Sequence, residues 1–146
     1  MMRRLPWFVF VLMIFASIGY LTMTTPQLPA RVASHFGSNN LANGWMLRAD
    51  YLRFMLAVGV LLPVVLTLLT AWLPRLAPGF VNLPHRDYWM APERRGATLA
   101  RLSAHGAWFG ILLSSFFVAL HGLLLKANAL TPPQLPMPEF WLVLGF

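Results

Sequence analysis

Three long runs without a charged side chain decide most of what this chain can fold into: Leu5–Met23, Phe54–Leu73 and Ala104–Leu125. As helices rising 1.5 Å per residue they reach roughly 28–33 Å, the thickness of a bilayer's hydrocarbon core. Charged residues make up 10% of the 146 positions, against about 25% in soluble domains. So few charges cannot solvate the surface of a soluble monomer, and 58% apolar residues is the reverse of a disordered composition. The expected fold is an all-α integral-membrane helical bundle of three transmembrane helices. It forms one domain over 1–146, with an outer loop 24–53, a basic loop 74–103 and a Pro-rich tail 127–146.

Two features at the ends bear on this count. The first run follows Met1-Met2-Arg3-Arg4, as the core of a secretory signal would. It exceeds the usual length of such a core, and no small-x-small cleavage site lies between Tyr20 and Pro26, so it reads as a retained anchor. In the tail, Thr131–Pro138 holds four prolines and cannot continue a helix. Glu139–Phe146 then opens a new apolar run too short to span. Either it lies in the interface on Phe140 and Trp141, or it is an incomplete fourth helix.

Orientation follows from basic residues in the connections. Arg3, Arg4, Arg75, Arg86, Arg94, Arg95 and Arg101 fall on one side, and Arg31, Arg48, Arg53 and Lys126 on the other. The positive-inside bias predicts a cytoplasmic N-terminus in an inner membrane. Trp7 and Trp72 then form an aromatic belt at the cytoplasmic interface, with Tyr20 and Tyr51 at the outer one. The net charge of +7 points to anionic lipid headgroups rather than nucleic acid.

Within the helices, Gly106, Gly110 and Ser114 recur every four residues, with Gly122 two steps further. This small-residue face lets another backbone approach closely, within the chain or across a homo-oligomer seam. Ala107 is expected on another, more tolerant side. Pro63 leaves the Gly59 carbonyl without its usual donor and predicts a kink. His121, a titratable group inside an apolar run, is expected to hydrogen-bond to a neighbouring helix.

The chemistry of enzymes is not written here. There is no cysteine, no metal-ligand cluster, no phosphate-binding glycine loop and no nucleophile elbow. No cofactor is expected. A membrane enzyme would have to rest on His35, Asp50 and His85, which form no convincing constellation.

The outer loop, Leu28–Met46, holds Gly37-Ser38-Asn39-Asn40 and Asn43-Gly44, both read as turns in a compact cap with no long strand. His35, Phe36 and Trp45 are expected to cluster there, His35 either as a recognition group or as a pin for the loop. Pro29, Val32, His35, Phe36, Asn43, Gly44 and Trp45 resemble the bacterial membrane domain of unknown function found in Sdp-type immunity proteins. That pattern reads Pro-x-x-Val-x-x-His-Phe, a glycine-containing turn, Gly-Trp, then a membrane helix, and covers roughly Leu12–Leu73. Asn40 stands where the family often has glycine, and the additional helices of the immunity proteins have no counterpart in this sequence. The resemblance implies a small multi-pass protein concerned with immunity or signalling toward a secreted peptide. His35, Phe36, Asn43, Gly44 and Trp45 would then contact the partner.

The basic loop supplies a second surface. Pro92 and Glu93 suit the first turn of a helix. Leu99 and Leu102 share a face, with Arg94, Arg95 and Arg101, along with Arg86, placed for phosphates or a cytosolic partner. The functional expectation is a non-enzymatic protein that binds or senses a partner through its outer loop. The alternative is a subunit of an oligomeric transporter or channel assembled on the small-residue face.

Overall fold

The computed structural model describes residues 4–145; Arg3 of the charge count and the Met1-Met2 lead lie outside them. Helix α1 (Leu5–Thr24) starts with Pro6 in its first turn, where the fixed φ costs nothing. A short 3-10 turn (Thr25–Gln27) leads to strands β1 (Arg31–Phe36) and β2 (Ala42–Leu47). Helix α2 (Arg48–Leu76) follows directly. A 3-10 turn (Pro78–Phe80) and one helical turn α3 (Arg86–Trp89) lead into the long helix α4 (Pro92–Asn128), and α5 (Met137–Leu144) closes the chain. Among the described residues, three helices are long and apolar enough to cross a membrane.

Helix α4 is the hub, packing against both α1 and α2. It begins at Pro92, twelve residues before the apolar run, because Pro92 and Glu93 open a helix that nothing interrupts. Helix α2 likewise begins at Arg48 rather than Phe54, with Asp50 in its first turn. Large apolar side chains such as Phe8, Phe15, Leu61, Leu69, Trp72 and Leu112 face outward along all three helices.

One expectation is corrected, and the Pro63 irregularity takes a definite form. The all-α description is incomplete, because the outer loop forms an antiparallel hairpin of two six-residue strands. Pro63 acts through the turn before it: Ala57–Leu61 widens to a π-helical turn, with the Leu62 N–H bonding to the Ala57 carbonyl. Lengthening the bonds by one residue is how a helix absorbs a missing donor without stopping. Gly59 in that turn is buried, and an added Cβ would sit 3.3 Å from Phe117 Cβ of α4.

A small apolar core of Leu21, Leu28, Val32, Tyr51 and Met55 sits where α1 ends, the hairpin begins and α2 starts. The opposite end is fixed by Trp7, whose indole N–H donates to Ser103 Oγ at 3.1 Å. The bundle therefore has a hairpin end and a loop end.

Candidate functional site

The hairpin is turned by Gly37–Asn40. The Gly37 N–H reaches the Leu41 carbonyl at 2.9 Å, and Asn40 takes a left-handed φ of 64°. Asparagine and glycine tolerate that region, so Asn40 serves where the resembled pattern carries glycine. Asn43-Gly44 is not a second turn. Both residues lie inside β2, where two register irregularities around His35 absorb them. Gly44 pairs with His35, and a Cβ there would approach His35 Cβ to 3.0 Å. The glycine makes room for the histidine. His35 Nδ1 in turn bonds Asn43 Oδ1 at 2.5 Å. The structure thus brings His35, Asn43 and Gly44 together. Phe36 is half-buried beside the turn, while Trp45 is 48% and Leu47 59% exposed on β2.

Three sets of bonds hold this hairpin on the helix ends. Asn128, the last residue of α4, accepts from the Ala33 N–H at 2.8 Å and donates to the Ala33 carbonyl at 3.0 Å. Its amide works as a one-residue strand along the free edge of β1, and Ala33 is fully buried beneath it. Arg48 donates to the Pro26 and Leu28 carbonyls at 3.1 and 2.9 Å. The Pro-rich tail pairs with the tip: Leu41 bridges Gln134, and the Leu135 N–H reaches the Asn40 carbonyl at 2.9 Å. Of the two Pro-Gln-Leu-Pro segments, 26–29 is bonded at the base of the hairpin and 133–136 at its tip.

Beneath the hairpin the three long helices meet at His121, which is fully buried. Its Nδ1 lies 2.7 Å from Tyr51 Oη of α2, and its Nε2 lies 2.7 Å from Thr24 Oγ1 of α1. Tyr51 stacks on the ring and Tyr20 meets it edge-on. Donor accounting assigns the tautomer. Thr24 spends its one hydroxyl proton on the Tyr20 carbonyl at 2.6 Å, so Nε2 carries the hydrogen and Nδ1 accepts from Tyr51. Tyr51 is 1% exposed; it belongs to this network and not to an aromatic belt. The histidine stood out in the sequence. Tyr51, Thr24, Asn128 and Arg48 did not, since only the folded chain brings their partners near.

The small-residue face is occupied by the same chain. A Cβ at Gly106 would run into Thr70 Oγ1, and one at Gly110 into Thr67 Oγ1 and the Phe10 ring. Thr67 Oγ1 donates to the Gly106 carbonyl at 3.3 Å. Gly122 lies under Tyr20, 3.4 Å from Oη to the position of an added Cβ. Ser114 is fully buried with an unpartnered hydroxyl. Ala107, expected on a tolerant side, is fully buried as well, because α4 is packed on two sides.

At the loop end Arg86, Arg94, Arg95 and Arg101 are exposed. Arg94 lies 4.0 Å above the Tyr88 ring and Arg86 donates to the Pro78 carbonyl at 3.1 Å. His85 belongs to this end, whereas His35 and Asp50 lie at the other, where Asp50 pairs with Arg53 at 2.7 Å. The three groups of the enzyme reading do not converge.

Fold and site together define a mostly helical chain with three helices able to cross a membrane and a braced β-hairpin at one end. No family model matches it, and neither the curated proteins nor the solved structures include a match.

Proposed function

We propose that this is a multi-pass protein of a bacterial inner membrane, with its N-terminus in the cytoplasm, that binds a partner through the hairpin. A two-stranded hairpin has open edges and cannot rest in hydrocarbon, which supports placing it outside the lipid. The observation that carries the binding reading is the combination of rigidity and exposure. The hairpin is braced by Asn128, Arg48 and the tail, yet Trp45 and Leu47 stay open on β2, the strand that carries Asn43. Braced backbone carrying exposed aromatic surface is the form that recognition sites take. Its chemistry is binding and not catalysis, in keeping with the immunity or signalling role that the sequence resemblance implies. The oligomeric transporter reading draws on the small-residue face, which Thr67, Thr70 and Phe10 already fill.

Extraction in mild detergent followed by co-purification tests the proposal. The expected result is a stoichiometric partner that is lost with Trp45→Ala and kept with Phe15→Ala on the outward face of α1. Retention with Trp45→Ala, or a ring of identical chains without other protein, overturns it.

A further inference from the structure

The loop end carries an apolar groove that the partner-binding reading does not use. It runs between the last turns of α2 and the first turns of α4 and is roofed by residues 81–83. One lobe of about 380 Å³ is lined by Leu73, Pro74, Ala77 and Phe109. A second lobe of about 300 Å³ is lined by Trp89, Thr98 and Arg101. Leu83, Leu102 and His105 line both, so the two lobes are neighbours along α4. Each lobe falls at the lower end of the roughly 300–1,000 Å³ range of small-molecule sites.

Charge selects the occupant. At the hairpin end the carboxylates are spent, Asp50 on Arg53 at 2.7 Å and Glu139 on Lys126 at 3.5 Å. At the loop end the described residues hold Arg4, Arg75, Arg86, Arg94, Arg95 and Arg101 against Asp87 and Glu93. No ion pair forms there among them. Arg101 and His105 stand at the mouth of the groove, both exposed. His105 Nδ1 donates to the Arg101 carbonyl at 2.9 Å, so its Nε2 is an acceptor and the cation at the groove is Arg101. A cationic mouth on an apolar trough matches an amphiphile with an anionic head and a hydrocarbon tail.

We propose that this groove holds one anionic glycerophospholipid. An acyl chain lies along Leu73, Pro74, Leu102 and Phe109, and the phosphate is met by Arg101. The site gives the basic loop a specific lipid in place of a diffuse attraction to the membrane surface. It is independent of what the hairpin binds.

The full chain in bilayer discs of equal phosphatidylglycerol and phosphatidylcholine, released into the gas phase for native mass spectrometry, tests this. The expected result is one retained phosphatidylglycerol per chain. Arg101→Gln should weaken that preference roughly fivefold, the share of one surface arginine. Arg31→Gln at the other end should leave it unchanged. Ala77→Trp, which fills the groove, should abolish retention while the circular-dichroism spectrum stays that of the parent chain. Inorganic phosphate should not displace the lipid. Equal retention of both lipids, no effect of Arg101→Gln, an Arg31→Gln effect of equal size, or displacement by phosphate alone overturns the proposal.

Discussion

Tyr51 donates its hydroxyl to Nδ1 of His121 at 2.7 Å, and the opposite nitrogen of the same ring reaches Thr24. One imidazole thereby joins all three long helices directly under the hairpin. Its value lies in saturation. Tyr51, His121 and Thr24 form a chain that ends on the Tyr20 carbonyl, and no hydrogen in it lacks an acceptor.

Removing the first donor should therefore cost more than its size implies. Tyr51→Phe leaves Nδ1 of a fully buried histidine without a partner, and a loss of about 1 kcal/mol is expected. Tyr20→Phe keeps the edge-on ring contact and removes a hydroxyl the network does not use, so it should be nearly neutral. Thermal unfolding of both variants in one detergent, followed by circular dichroism, checks the difference.

Glycine-to-alanine changes on α4 should have opposite signs. At Gly110 the new methyl meets Thr67 Oγ1 and the Phe10 ring, side chains held by packing on both neighbouring helices. A cost of about 1–3 kcal/mol is expected from overpacking. At Gly96 a Cβ meets nothing within 4 Å, and alanine should stabilise the helix by about 0.5–1 kcal/mol. Equal shifts in unfolding temperature would show that Gly110 is not at a close contact.

Asn128 is expected to control the hairpin more than the bundle. Asn128→Ala strips both partners from the Ala33 edge and should loosen that strand by about 1–2 kcal/mol. Hydrogen exchange should speed up at the Ala33 amide, with little change in the middle of α1 and α4. Asn128→Asp keeps an acceptor for the Ala33 N–H but aims a carboxylate at the Ala33 and Leu124 carbonyls. It should be no better than alanine.

Ser114→Ala deletes a buried hydroxyl that has no partner. Stability should hold or rise by up to about 1 kcal/mol. A clear loss, read from the same unfolding assay, would mean that the hydroxyl has a partner in the membrane.

The chain has no cysteine, so single cysteines report topology without background. With the hairpin outside, Ser38→Cys should react with an impermeant thiol reagent in intact cells, and Gly96→Cys only after lysis. Both positions are exposed. The reverse pattern would place the hairpin in the cytoplasm.

What the sequence determined by itself was the set of features carried by neighbouring residues. Uncharged runs located the three long helices, because length and polarity are local properties. Pro92 and Glu93 marked where α4 could start, and the spacing of Gly106 and Gly110 marked a face of close approach. His121 was legible as a polar group needing a partner on another helix. The strands were not legible: Asn43-Gly44 carries a turn signature, and only pairing across the hairpin makes Gly44 a clearance for His35. Tyr51 reads as an interfacial tyrosine until α4 brings His121 to it, and Asn128 reads as a helix end until β1 lies alongside. Those roles rest on partners 70 and 95 positions away in the chain. Tertiary structure decided them, because a hydrogen bond depends on where two groups meet in space, which residue type and local spacing do not specify.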